Sequence, residues 1–340
     1  MEFFARGLSS TYEAEHVARL FFPRLTMAKR RPGKSSEAVW VTQTKQWLWC
    51  AVRCPQGKAF QKQRYTSETD AEYEVCRMLF SLLRDVTGNT PPWGMLTGVR
   101  PVRLLHDLRK KGMSDEQLDD FFLRRHFVLP EKLALAKEIE QNQAPVRAMT
   151  TPRSVSVYIS IPFCPSRCSY CSFVSRTTEQ SRALMEPYVD CLLLEIAQTA
   201  KLIETLHLKL ETIYIGGGTP TAITAAQLRR VMQAVKDQFD LSKVREYTVE
   251  AGRPDCTDEE KLGIIYELGA TRISINPQTL SDRVLAAIGR RHTAQDILDC
   301  FAAARRVGHR NINMDLIAGL PQDTVKGFEE SLRGAAALQP

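Results

Sequence analysis

The stretch YISIPFCPSRCSYCSF (residues 158–173) holds three of the nine cysteines of this 340-residue chain: Cys164, Cys168 and Cys171. A structural zinc site takes four ligands, usually from two separated pairs of residues. Three thiolates on one short loop instead favour a four-iron cluster that keeps one iron open for a substrate or cofactor. The alternatives are three unrelated cysteines, or a zinc ion whose fourth ligand lies elsewhere.

A strand is predicted directly before these cysteines. The run VSVYIS (155–160) is rich in β-branched residues, which is typical of a buried strand. The cysteines would then lie at the carboxyl end of a strand, where α/β barrels carry their reactive groups. Tyr170, next to the third cysteine, would shield a cluster from water or simply pack the loop.

The composition predicts a globular protein, and the sequence contains no apolar run long enough to cross a membrane. The first ten residues, MEFFARGLSS, lack the basic region and apolar core of a secretory signal. We therefore expect a cytoplasmic protein with reduced thiols, and this excludes a disulfide framework.

The positive charge is unevenly distributed. Residues 1–150 hold 24 Lys and Arg against 17 Asp and Glu, whereas residues 151–340 hold 22 of each kind. An anionic partner, either a polycarboxylate or a nucleic acid, would account for the excess. A solvated surface is the plainer explanation, and so mild an excess favours it.

Two domains are predicted: a small α+β accessory domain over residues 1–148 and an α/β domain over residues 154–340. In the first domain, residues 1–65 predict a small sheet and residues 68–86 an amphipathic helix. The polar, proline-containing segment 141–153 is predicted to link the two domains.

The second domain alternates between strands and helices, which implies a parallel sheet that is either open or rolled into a barrel. Its predicted strands are 155–161, 212–216, 246–251, 272–276 and 311–317. Its predicted helices are 183–205, 225–238, 258–268, 281–288 and 295–307.

A last helix, 327–338, is the usual prelude to another strand, yet the sequence stops at Pro340. We therefore expect the sheet to be incomplete at its C-terminal side, with an unpaired edge on its fifth strand. A form that ends here should keep most cofactor contacts and turn over no substrate.

Glycine-rich or polar sequence follows each predicted strand. GGGTPT (216–221) lets the backbone approach a ligand closely, although a tight turn explains it equally well. Glu250, Gln278 and Asp315 follow the next three strands, and Arg290 lies beyond the fourth. These groups suit a ligand with an amino group, a carboxylate and ribose hydroxyls. Beside an iron–sulfur cluster, such a ligand implies S-adenosylmethionine.

The chain resembles the radical S-adenosylmethionine enzymes, and within them the oxygen-independent coproporphyrinogen III oxidase group. The motifs that carry the resemblance over residues 155–340 are YISIPFCPSRCSYCSF, GGGTPT, VEAGRPD, INPQ, GRRH and NMDLIAGLP. The N-terminal region with TGVRP is similar to the branch labelled coproporphyrinogen dehydrogenase, which has an extra N-terminal domain. The implied fold is a partial (β/α)6-type barrel preceded by that domain.

The resemblance also implies roles for individual residues. Cys164, Cys168 and Cys171 would ligate a [4Fe-4S] cluster, and Tyr158 would be catalytic, close to cofactor and substrate. The residues expected to bind S-adenosylmethionine are Tyr158, Phe173, Gly217, Gly218, Thr219, Glu250, Gln278, Arg290, Asp315 and Ile317. Arg290 is the expected partner of the cofactor carboxylate, because its guanidinium is planar and permanently charged.

The implied reaction is oxidative decarboxylation of two propionates of coproporphyrinogen III to vinyl groups. Its partners would be this anionic tetrapyrrole and an electron donor such as flavodoxin or ferredoxin, with neither a membrane nor a nucleic acid expected. Phe173 stands where the characterised oxidases carry a further cysteine, and Ser160 where relatives commonly have histidine. A haem-binding chaperone on the same scaffold, which also lacks that cysteine, is the main alternative. A radical methylating enzyme acting on RNA or a small heterocycle is the other, because the basic N-terminal part permits it.

Overall fold

The computed structural model describes residues 1–33, 36–66 and 70–340. The chain divides into two compact units, Met1–Met149 and Thr150–Pro340. No helix among the described residues is long and apolar enough to cross a membrane.

The first unit contains a five-stranded sheet with helices on one face. Its strands are β1 (Glu2–Arg6), β2 (Thr26–Met27), β3 (Ala38–Gln43), β4 (Trp47–Cys54) and β5 (Gly57–Arg64). The order is β2-β1-β3-β4-β5, with β1 parallel to both neighbours and the pairs β3-β4 and β4-β5 antiparallel. Helices α1 (Tyr12–Phe21) and α2 (Ala71–Thr87) share a buried core with Phe3, Val41 and Leu48 of the sheet.

The predicted helix 68–86 corresponds to α2. Its N-cap residue, Asp70, accepts a hydrogen bond from the Tyr73 amide, and Gly88 ends the helix with a φ of 69°. Residues 68 and 69 of that prediction lie outside the described residues, as do residues 34 and 35 of the predicted sheet region.

Three further helices and a π-helical segment complete the first unit. They are α3 (Pro101–Lys110), α4 (Asp115–Asp119), the π-helical segment Asp120–Arg125 and α5 (Pro130–Ala148). They enclose a small core of their own, which includes Leu105, Phe122 and Leu133.

The predicted linker 141–153 is wrong over its first eight residues, because α5 continues to Ala148. Pro145 lies inside the helix and lacks the amide donor that a helix interior requires. The side chain of Arg147 also bonds to this helix, since its Nη2 donates to the Glu140 carbonyl at 2.9 Å. Polar composition and a proline were therefore not sufficient signs of a loop here.

The second unit is built on a parallel sheet. Its strands are β6 (Ser154–Ile161), β7 (Phe163–Cys164), β8 (Arg176–Thr177), β9 (Lys209–Gly217), β10 (Glu246–Glu250), β11 (Arg272–Ser274) and β12 (Ile312–Asn313). The main sheet has the order β12-β11-β10-β9-β6, and every pair in it is parallel. Strands β7 and β8 form a separate two-stranded ladder. The predicted α/β class with a parallel sheet is confirmed.

The strands of the main sheet follow one another in sequence order, without the reversal that marks a doubly wound sheet. The helices of this unit are α6 (Thr178–Thr205), α7 (Ala225–Gln238), α8 (Glu259–Glu267), α9 (Asp282–Ala287), α10 (Ala294–Val307) and α11 (Val325–Ala337). Ile213, Val249 and Ile273 of the sheet share one buried core with Val231 and Ile265 of the helices. In this winding the carboxyl ends of all five strands meet at one edge.

The last two strands are shorter than the predicted 272–276 and 311–317. Side-chain hydrogen bonds replace the ladder where it breaks, since Asn313 Nδ2 donates to the Ser274 hydroxyl at 3.1 Å and to Asp315 Oδ1 at 2.9 Å. Pairing resumes in a single bridge between Gln278 and Leu316. The intervening Pro277 has no amide to donate, which accounts for part of the interruption.

A buried carboxylate joins three strands at the opposite edge of this sheet. Glu211 is 3 % exposed and accepts from Ser154 Oγ at 2.8 Å, while Lys209 Nζ lies 2.7 Å from the same oxygen. Arg245 Nε lies 2.5 Å from the other oxygen. The contacts with Lys209 and Ser154 lower the pKa of Glu211 from its ordinary 4.5 to about 2.

Glu211→Gln should destabilise the protein at neutral pH, because two basic side chains then lose their counter-charge. A carboxyl group whose pKa is lower in the folded state stabilises fully above about pH 4.5, and the contribution is lost as the pH falls through about 2. The free energy of unfolding of the unsubstituted protein should therefore fall more between these pH values than that of the variant. Denaturant unfolding at several pH values measures this difference.

A matched control is Glu329→Gln, since Glu329 is an exposed carboxylate on α11. Its free energy of unfolding should follow that of the unsubstituted protein at every pH. Identical pH profiles for the Glu211 and Glu329 variants would contradict the assignment.

Candidate functional site

The three cysteines lie on a closed loop between β7 and β8. Cys164 ends β7 and pairs in register with Thr177 of β8, so the intervening segment returns to where it started. Inside the loop the Cys171 amide donates to the Cys168 carbonyl at 3.1 Å. All three thiols are partly exposed.

Two hydrogen bonds fix this loop to the segment after α9. The Ser169 amide donates to the Ile288 carbonyl at 3.0 Å, and the Ser166 hydroxyl donates to the Gly289 carbonyl at 2.9 Å. The cysteine loop therefore lies across the carboxyl edge of the sheet, next to the residues that precede Arg290.

A cavity of about 340 Å³ lies under this loop. Twelve of the thirteen predicted site residues line it: Cys164, Cys168, Cys171, Phe173, Gly217, Gly218, Thr219, Glu250, Gln278, Arg290, Asp315 and Ile317. Tyr158 does not line it. The structure thus brings the predicted set together, while the role of each residue toward a ligand stays a prediction.

The end of β9 passes very close to the cysteine strand. A Cβ atom on Gly218 would lie 2.7 Å from the Phe163 carbonyl oxygen and 3.0 Å from Cys164 Sγ. Gly217 has a φ of 111°, a conformation that other residues rarely adopt. The Thr219 hydroxyl donates to Cys164 Sγ at 3.5 Å. Glycine is therefore needed at 217 and 218 for packing, whatever these residues contact in a ligand.

Glu250 is linked to Tyr158 through a third residue. The Tyr214 hydroxyl donates to Glu250 Oε1 at 2.5 Å, and the Tyr214 ring stacks on Tyr158 with centroids 5.6 Å apart. Burial raises the pKa of Glu250, with a further rise from Asp315, and the Tyr214 hydrogen bond opposes this. Tyr158 itself is 60 % exposed, and its stacking on Tyr214 connects it to Glu250.

Gln278, Asp315 and Ile317 form one hydrogen-bonded unit. The Gln278 amide donates to the Asp315 carbonyl at 2.9 Å, and the Gln278 carbonyl accepts from the Ile317 amide at 3.0 Å. Gln278 is buried with a φ of 65°, which is costly for a residue with a side chain. Backbone strain of this kind is frequent at functional sites.

Arg290 is buried and already has protein partners. Its Nη1 donates to the Asn276 carbonyl at 2.7 Å and its Nη2 to the Tyr170 hydroxyl at 3.2 Å. Its Nε is buried and has no acceptor among the described residues. Arg290 thus positions Tyr170 on the cysteine loop, and its predicted contact with the cofactor carboxylate is not tested by this arrangement.

Sequence reasoning missed Arg253, although it lies in the motif VEAGRPD that supplied Glu250. It is 4 % exposed and forms a two-point ion pair with Asp255, at 3.0 and 2.7 Å. Its Nη1 donates to the Ser166 carbonyl at 2.9 Å and lies 4.0 Å from Cys168 Sγ. An arginine at a strand end among cysteine motifs was the available signal.

Asp255 holds Arg253 in place through this ion pair. Burial opposes its ionisation, but the neighbouring His292 and Arg253 hold the pKa of Asp255 well below its usual range. His292 is buried, with Nδ1 3.6 Å from Asp255 Oδ1. Asn276, whose carbonyl accepts from Arg290, is a further cavity residue that the sequence analysis did not select.

The donor set fits an iron–sulfur cluster and S-adenosylmethionine. Three thiols share one loop, the fixed cation of Arg253 stands beside Cys168, and the Thr219 hydroxyl points a donor at Cys164. Two carboxylates, Glu250 and Asp315, line the same cavity and suit the amino and ribose groups of the second cofactor.

The Radical SAM superfamily model matches residues 158–335, which is more than half of the chain. The chain belongs to the radical SAM superfamily. The predicted cofactors, a [4Fe-4S] cluster and S-adenosylmethionine, are those of this family and are confirmed.

Two curated relatives share substantial sequence identity with the chain. The chain is 40 % identical over 269 residues to the oxygen-independent coproporphyrinogen-III oxidase-like protein HemZ of Bacillus subtilis, covering 78 % of this chain and 54 % of that protein. It is 41 % identical over 187 residues to the heme chaperone HemW of the same organism, covering 54 % of this chain and 47 % of HemW. The chain therefore spans about half the length of the curated relatives it matches.

Among solved structures, the coproporphyrinogen III oxidase HemN of Escherichia coli, a radical SAM enzyme, is similar with a TM-score of 0.50 and 29 % identity. The match covers 58 % of this chain and 45 % of that one. The family recognised from the sequence motifs is confirmed.

Replacing Arg253 should weaken the cysteine loop. Arg253→Met removes the donors to Ser166 and the cation beside Cys168, so we expect incomplete iron incorporation and faster loss of the visible cluster absorbance in air. Arg253→Lys keeps the charge but loses the two-point contacts of the guanidinium. Its iron content and air stability should lie between those of the unsubstituted protein and Arg253→Met. The matched control is Arg167→Ala, an exposed cavity-lining arginine, which should retain full iron. Full iron and normal air stability in Arg253→Met would contradict this role.

Arg290→Ala should weaken S-adenosylmethionine binding by about 1.5–3 kcal/mol, the scale of a charged hydrogen bond. Calorimetry on the cluster-loaded protein measures it. Tyr170→Phe is the control, because it removes only the acceptor that Arg290 holds within the protein. If Tyr170→Phe weakens binding as much as Arg290→Ala, Arg290 acts through the loop. If neither variant loses affinity, the carboxylate contact is wrong.

Proposed function

We propose that the whole protein is a radical SAM oxidoreductase that converts propionate side chains of coproporphyrinogen III into vinyl groups. The observation that carries the proposal is the match to HemZ, which extends over 78 % of this chain and therefore beyond the radical SAM region. The similarity to the Escherichia coli coproporphyrinogen III oxidase also supports this proposed activity.

When bound, the cluster and S-adenosylmethionine supply one-electron reduction and hydrogen-atom abstraction. The chain's own residues would hold and orient these groups. Cys164, Cys168 and Cys171 would be the cluster ligands, and Arg253 would keep their loop in place. Each propionate that reacts gives up one hydrogen atom, one electron and carbon dioxide.

Glu250 and its two tyrosine neighbours would position the cofactor at the sheet edge. The Tyr214 hydroxyl already occupies one lone pair of Glu250 Oε1, so the carboxylate is held in one orientation with Oε2 left for a ligand donor. Tyr158, stacked on Tyr214, would then face the substrate side of this edge, as the family resemblance implies.

A haem-binding chaperone is the second candidate, and two observations favour it. The chain is 41 % identical to the heme chaperone HemW over 187 residues. Phe173, which stands at the position of the oxidases' further cysteine, lines the cavity and is 63 % exposed. An exposed apolar ring at the mouth of the site would suit a bound macrocycle that is not turned over.

The test is an anaerobic assay of the whole reconstituted protein with coproporphyrinogen III. We expect carbon dioxide and the divinyl product by mass spectrometry, together with 5′-deoxyadenosine. The Cys164→Ala/Cys168→Ala/Cys171→Ala variant is the control, and it should lose its iron and form no product. Stoichiometric haem binding without turnover, in protein with a full cluster, would reject the oxidoreductase in favour of the chaperone.

Two further expectations belong to this proposal. An electron donor such as flavodoxin or ferredoxin would reduce the cluster, and the protein would act in the cytoplasm. The radical methylating alternative has no specific observation in its favour.

A further inference from the structure

The open face of the N-terminal sheet carries a second candidate binding surface. Helices α1 and α2 cover the face that bears Phe3, Val41 and Leu48. Because side chains alternate along strands, Phe4 and Trp40 point to the opposite face. Among the described residues of Met1–Met149, no helix packs on that side.

An aromatic row crosses this face at the middle of the strands. The register places Phe4 beside Trp40, Trp40 beside Ala51, and Ala51 beside Phe60. Ala51 leaves a depression between two large rings. Phe60 is 55 % exposed, and Trp49 beside it is 37 % exposed with ring centroids 5.4 Å apart.

Basic side chains flank the aromatic row on both sides. Arg53 pairs in register with Lys58 in the row on one side. Arg6 and Lys62 lie in the row on the other side, and Lys62 Nζ stands 4.6 Å from the Trp49 ring centroid. The two basic rows are four residues apart along the strands, a separation of about 13 Å.

Three of these cations, Arg6, Arg53 and Lys58, line the depression, whereas the Lys62 ammonium lies over the Trp47 and Trp49 rings. Among the described residues, none of Arg6, Arg53, Lys58 and Lys62 forms an ion pair. The carboxylate of this face, Glu2, lies in the same row as Arg53 but two strands away. The positive excess of residues 1–150 thus includes a cluster that faces an apolar depression.

The depression is large enough for a small molecule. Its volume is about 840 Å³, and ligand sites typically span roughly 300–1,000 Å³. An aromatic floor with charged flanks would hold the flat body of a ligand by stacking and its acidic edge groups by charged hydrogen bonds.

We infer that this face, bounded by Phe4, Trp40, Phe60, Arg53, Lys58 and Arg6, binds a flat macrocyclic ligand with carboxylates at opposite edges. Resting on the proposed function, that ligand is a carboxylated tetrapyrrole, and the surface is a second tetrapyrrole site besides the radical SAM cavity. A single nucleic-acid strand would instead present its charges along one track beside the bases, which fits cations on both sides of the rings less well.

The probe is coproporphyrin III, the oxidised macrocycle with four carboxylates, which needs no radical chemistry to bind. Titration into the whole protein should quench the fluorescence of the tryptophans of this face and saturate. The tetramethyl ester of the same porphyrin should bind at least tenfold more weakly, because it lacks the charges.

Two variants test the surface by different means. Arg53→Gln/Lys58→Gln removes one basic flank, and Ala51→Phe fills the depression; each should weaken coproporphyrin binding at least tenfold. Arg24→Gln/Lys45→Gln, two basic residues outside the aromatic and basic rows, is the matched control and should bind normally. Circular dichroism shows whether each variant is folded. If Ala51→Phe does not fold, coproporphyrin binding by Arg53→Gln/Lys58→Gln decides the test.

The outcomes separate this inference from the proposed function. Binding that persists in the triple cysteine variant and is lost in the surface variants supports the inference, whether or not the protein turns over coproporphyrinogen III. Normal coproporphyrin binding by both surface variants overturns it, even if turnover is observed. Loss of single-stranded RNA binding in these variants, with no porphyrin binding by the unsubstituted protein, overturns it in favour of a nucleic-acid surface.

Discussion

The close approach of two backbones at the end of β9 is the constraint on which the reactive edge depends. A side chain at Gly218 would collide with Phe163 and Cys164, and one at Gly217 would collide with Ser160 and Ile161. The Thr219 amide then donates to the Phe163 carbonyl at 2.8 Å, so pairing continues past the regular ladder. The parallel pairing of β9 with β10 and of β10 with β11 places Glu250 and the later strand ends at the same edge. The cysteine loop lies over this edge.

The motifs that follow the predicted strands were sufficient to identify most of the residues that line the cavity. Parallel strands in sequential order bring their carboxyl ends together, so motifs far apart in the chain could be placed at one edge without knowing any distance. What the sequence could not supply was the partner of each side chain. Arg290 was selected for its planar, permanently charged guanidinium, yet two of its nitrogens donate to Asn276 and Tyr170. Arg253 was passed over, although it holds the cysteine loop.

The sequence likewise does not show which neighbours the basic residues of the first unit have. Composition located a positive excess in residues 1–150 but could not say whether it faced one surface. Only the register shows that Arg53 and Lys58 are neighbours and that both stand beside the aromatic row. The error at 141–153 has a different cause: polar side chains suit an exposed helix as well as a loop, and Pro145 lies only three residues before the helix ends at Ala148.

The electrostatics of the cavity give a physical reason why it suits a positively charged cofactor. Glu250 and Asp315 share one small cavity, and burial together with the Asp315 charge raises the pKa of Glu250. The Tyr214 hydroxyl relieves part of this cost by donating to the carboxylate. A ligand that brings an ammonium and a sulfonium group would relieve more of it, because an opposite charge favours the ionised carboxylate. Arg253 lies beside Cys168 and would complement the negative charge of thiolates that ligate a cluster.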